Sequence, residues 1–65
     1  MLAKLIDNQG QIHIINTTFI QSICVENSES DKLIMIFWDN GAKTEYYVRP
    51  IEYDTFINSI LTEDK

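Results

Sequence analysis

The sequence predicts an α+β fold: an antiparallel β-meander of about five strands, forming a curled sheet or a partly closed barrel, with one C-terminal amphipathic helix. Three observations carry that expectation. Runs rich in isoleucine and valine alternate with turn residues through the first three quarters of the chain. An Asn-Gly pair, Asn40-Gly41, separates two such runs. After Pro50 the apolar period changes from two residues to between three and four.

The strands are expected over about residues 2–7, 11–16, 20–26, 32–39 and 42–49, and the helix over about 50–62. "LAKLID" and "QIHIIN" flank "NQG", where Gly10 is free to take positive φ, so they read as a hairpin. Thr17 to Phe19 form a corner, and "IQSICVEN" supplies a third strand with branched residues at Ile20, Ile23 and Val25. "SESDK" is polar and without period, which suggests a flexible connection.

"LIMIFWDNGAKTEYYVR" is the strongest local signal. A two-residue type I′ turn at Asn40-Gly41 would place Asp39 opposite Ala42, and the pairing would then run from Trp38 with Lys43 to Leu33 with Val48. In that register Leu33, Met35, Phe37, Thr44, Tyr46 and Val48 share an apolar face suited to a core. Ile34, Ile36, Trp38, Lys43, Glu45 and Tyr47 share the other. A slip of one residue would exchange the faces of one strand.

In the last segment Tyr53, Phe56, Ile57, Ile60 and Leu61 follow the spacing of one helix face. Pro50 suits the first helical position, although Asp54 could instead cap a helix one turn shorter. The terminal "TEDK" is expected to fray. A helix of about three turns covers one side of a sheet and not two. Either the sheet curls so that the first hairpin covers the second side of "LIMIFW", or that side stays open to another chain.

Length and charge limit the functional classes. With 65 residues the chain forms a single small domain, residues 1–65, near the lower end of independent folding. Ten acidic and five basic residues give a net charge of -5, which argues against direct nucleic acid binding and favours a partner protein with a basic surface. Cys24 is the single cysteine, so no internal disulfide forms. No basic leader with an apolar run and no membrane-length segment is present in the sequence, and a cytoplasmic location without membrane insertion is expected.

No catalytic, cofactor or metal constellation emerges. His13 lacks a sequence-local acid, base or ligand partner, and the acids of "ENSESD" lack the spacing and central glycine of a calcium loop. What remains is a protein-binding face, for which Ile34, Ile36, Trp38 and Tyr47 rimmed by Lys43 and Glu45 are the candidates. A homodimer would also suit so small a core.

Gly10, Ile15, Asn16, Ile20, Ile23, Asn40, Gly41 and Val48, in an early hairpin, an isoleucine-rich strand and a late "NG" hairpin before a helix, give a pattern that resembles the small flagellar FlbD and swarming-motility family. Thr17 stands where that family tends to have proline. The resemblance implies a non-enzymatic accessory of the flagellar motor. Compactness and negative charge equally suit an acidic inhibitor of phage type, which would block a basic nucleic-acid-binding or defence complex.

Overall fold

In a computed structural model, which describes residues 1–62, the chain is an α+β meander of five antiparallel strands and one helix. The expectation for "TEDK" falls largely on residues 63–65, outside the described residues. Strands β1 (Leu2–Ile6) and β2 (Ile12–Asn16) form a two-stranded sheet. A 3-10 turn over Thr17–Phe19 leads to β3 (Ile20–Ser28), β4 (Asp31–Trp38) and β5 (Lys43–Val48), which form a second sheet in that order. Helix α1 (Pro50–Leu61) closes the fold. The sheets curl around one core without closing into a barrel.

The β1–β2 and β4–β5 hairpin tips are the same device. Asp7 N–H donates to Gln11 O and Gly10 N–H to Asp7 O, both at 3.0 Å, with Gly10 at φ 84°. Trp38 N–H donates to Ala42 O and Gly41 N–H to Trp38 O, both at 2.9 Å, with Gly41 at φ 90°. Each is a three-residue loop whose glycine takes the left-handed position after a β-turn.

That geometry corrects the expected register. A type I′ turn needs positive φ at both central residues, yet among the described residues Glu29 is the one non-glycine with positive φ. Asn40 instead uses its side-chain oxygen to accept from Ala42 N–H at 2.9 Å. The loop therefore holds Asp39, Asn40 and Gly41, and the ladder runs from Phe37 with Lys43 to Lys32 with Val48. One added loop residue turns β4 over relative to β5, so Ile34 and Ile36 face the core and Leu33, Met35 and Phe37 face away.

"SESDK" is tighter than expected. β3 and β4 pair down to Ser28 with Asp31, leaving only Glu29 and Ser30 as the turn, with Glu29 at φ 55°. Near the start of β3 the register shifts between Ile20 and Ser22, and Gln21 is the extra residue. This bulge lets Ile20 face the same side as Ile23, three residues on.

The core draws on every layer: Ala3, Leu5 and Ile15 from the first sheet, Ile34, Ile36 and Val48 from the second, and Phe56 from α1. Tyr53, Ile57 and Ile60 of the helix stripe pack against it. Pro50 is indeed the first helical residue, with Arg49 as N-cap and Glu52 in the first turn. The helix lies mainly along β1, with fewer approaches to β4. Its stripe meets Ile34 and Ile36, not Leu33, Met35 and Phe37 as the two-residue turn implied. A backbone bond from Asn8 N–H to Tyr47 O (2.7 Å) ties the first hairpin's loop to the second sheet, and one from Asp39 N–H to Phe19 O (2.9 Å) ties the β4–β5 loop to the 3-10 turn.

Candidate interaction face

The side of β3-β4-β5 turned from the core is a grid of three rows. Phe37 lies between Ser22 and Lys43, Met35 between Cys24 and Glu45, and Leu33 between Glu26 and Tyr47. Its central column is wholly apolar and half-buried, shielded by neighbours in the sheet, and none of the three belongs to the core cluster. Its edges are polar except at Cys24 and at Tyr47, which stands 48% exposed. Lys43 Nζ sits 3.3 Å from Glu45 Oε2, an exposed pair of small energetic weight. An apolar centre with a polar, partly aromatic rim is the layout of protein interfaces.

The sequence-predicted face is thus divided. Lys43, Glu45 and Tyr47 lie on this outer side. Ile34 and Ile36 are completely buried and cannot touch a partner. Trp38 lies opposite Ile20, packs half-buried against the core and donates its indole N–H to Thr44 Oγ1 at 2.8 Å. Leu33, Met35 and Phe37 replace these three. A three-residue reading of "DNG", parallel to that of "NQG", was the signal that would have found them.

A second apolar surface covers the outward side of the first hairpin. Leu2, Ile12 and Ile14 are 68%, 61% and 63% exposed there, grouped around Lys4 and Ile6. Exposed aliphatic residues are ordinary singly; a contiguous group is not.

His13 does have a partner, which sequence proximity alone did not reveal. Leu5 opposes His13 in the ladder, and Asp7, one step along the same side, reaches it diagonally, with Oδ2 2.8 Å from His13 Nε2. The imidazole also lies 4.6 Å from the Tyr46 ring, tilted by 52°. Asp7 Oδ1 accepts from the Gln9 and Gln11 amides, at 2.9 and 3.0 Å. Its carboxyl is held below its ordinary pKa of 3.8, first by the His13 hydrogen bond and then by these amides, against some desolvation. The arrangement fastens the first hairpin tip to β5.

Among the described residues, no three of His, Cys, Asp and Glu come together as a metal site, and no helix is long and apolar enough to cross a membrane. No protein-family model, curated protein or solved structure matches this chain. Of the positions shared with the flagellar pattern, Gly10 and Gly41 serve turns while Ile15 and Val48 serve the core. Those residues explain a fold and point to no site.

Proposed function

We propose that this protein is a non-enzymatic interaction module, an accessory or regulatory protein that binds another protein through the outer face of β3-β4-β5. The observation that carries the reading is β4 itself, which is apolar on both sides while the hairpin and helix cover only one. Leu33, Met35 and Phe37 would bury against the partner and Tyr47 would anchor the rim, with Lys43 and Glu45 setting orientation. The face carries Glu26 and Glu45 against Lys43, and the whole chain is at -5, so a partner with a basic surface is favoured. Blocking a basic nucleic-acid-binding complex and serving as a flagellar accessory are both forms of this reading.

Affinity capture from the source cell with wild type and with a Met35→Glu/Phe37→Glu variant tests it. A protein recovered by wild type and lost with the variant, whose circular dichroism is unchanged, is the expected result. Equal recovery by both, with the fold intact, overturns the assignment of this face.

A further inference from the structure

Where the 3-10 turn meets the Asp39-Asn40-Gly41 loop, Phe19, Trp38, Asp39 and Asn40 line an open cleft of about 270 Å³. The bond from Asp39 N–H to Phe19 O fixes the two walls relative to each other. Trp38 is fixed as well, because its one polar atom is committed to Thr44. Phe19, which lines the same cleft as Trp38, is a large aromatic residue left 56% exposed. The Asn40 side chain is engaged with Ala42, whereas the Asp39 carboxylate makes no hydrogen bond or ion pair among the described residues. The cleft surface is therefore nearly all apolar, and the uncommitted carboxylate belongs to one of its lining residues, Asp39.

Its volume lies just below the roughly 300–1,000 Å³ of small-molecule sites, so it suits one side chain better than a cofactor. A cation within about 6 Å of an aromatic face is attracted to it, most strongly by tryptophan. Arginine adds two features that lysine lacks, a planar group that stacks on a ring and a fork of donors that matches a carboxylate. The geometry points to a site for one arginine side chain of a basic partner protein, stacked between Phe19 and Trp38 and paired with Asp39. The site stands apart from the outer sheet face, since Trp38 faces the opposite side of β4 from Phe37.

The test is an NMR titration of the full chain, isotopically labelled, with the blocked tripeptide Gly-Arg-Gly, read at the single indole N–H, that of Trp38. The site predicts saturable shifts at Trp38, Phe19 and Asp39. It also predicts affinity lowered about tenfold in Asp39→Asn and on replacing arginine by its neutral isostere citrulline. The citrulline comparison uses the unaltered protein and does not depend on how a variant folds. Citrulline or lysine binding as tightly as arginine, an unchanged affinity in Asp39→Asn with its remaining spectrum preserved, or no saturable shift at tens of millimolar peptide overturns the proposal.

Discussion

Glu29 holds a backbone conformation, φ 55°, that costs an L-residue about 1–2 kcal/mol, because the two-residue turn between β3 and β4 requires it. Glycine removes that strain but loses roughly 0.5–1 kcal/mol to the greater freedom of the unfolded chain. Glu29→Gly should therefore gain roughly 0.5–1 kcal/mol net, seen as a higher urea midpoint at unchanged slope. A lower midpoint would show that the Glu29 side chain contributes more than its backbone costs. Phe56 was legible from helical spacing alone, and its near-complete burial makes Phe56→Ala cost about 3–5 kcal/mol, a large part of so small a domain's stability. Little change in midpoint would contradict its place at the centre of the core. Asp7 behaves differently. Its folded pKa lies below 3.8, so its contribution is fully present above that value and is lost as pH falls through the lowered folded pKa. Asp7→Asn should flatten the pH dependence of stability below about pH 4. The Asp7–His13 contact was not legible residue by residue, because it exists only once the ladder has a register.

At the scale of elements, alternation marked the strands, the change of period marked the helix, and turn residues placed the first and last hairpins. Which side of β4 faces inward was not legible in the same way, because alternation specifies two faces without naming the inner one. In this strand both faces are apolar, and the loop length alone decides. "DNG" holds one residue more than the type I′ turn suggested by Asn-Gly, so three of the six expected contact residues changed sides. The "SESDK" segment was under-read for a related reason. Its polar residues belong to solvent-facing ladder ends, with Asn8 Nδ2 donating to Asp31 Oδ2 and Lys32 Nζ to Asn27 Oδ1. Truncation distinguishes the faces energetically. Ile34→Ala and Ile36→Ala should each cost about 2–5 kcal/mol in urea unfolding, against about 1 kcal/mol or less for Leu33→Ala and Met35→Ala. Equal costs on both sides would mean that something in this chain covers the outer face.

Among the described residues, two small sheets and a helix join around a core of seven buried residues, with two apolar surfaces left outside it. Both the outer sheet face and the Leu2–Ile12–Ile14 patch would lower their free energy by burial against another chain. If the hairpin patch pairs with a second copy, the melting temperature should rise with protein concentration, and Ile14→Lys should abolish that rise. A monomeric mass by sedimentation across the micromolar range would reject self-association. Where the interaction surface lies depends on which way β4 faces, and nuclear Overhauser contacts from the Phe56 ring read this directly. The fold described here predicts contacts to the methyl groups of Ile34 and Ile36 and none to Leu33 or Met35. Contacts to Leu33 and Met35 with none to Ile34 and Ile36 would restore the two-residue turn and remove the proposed face.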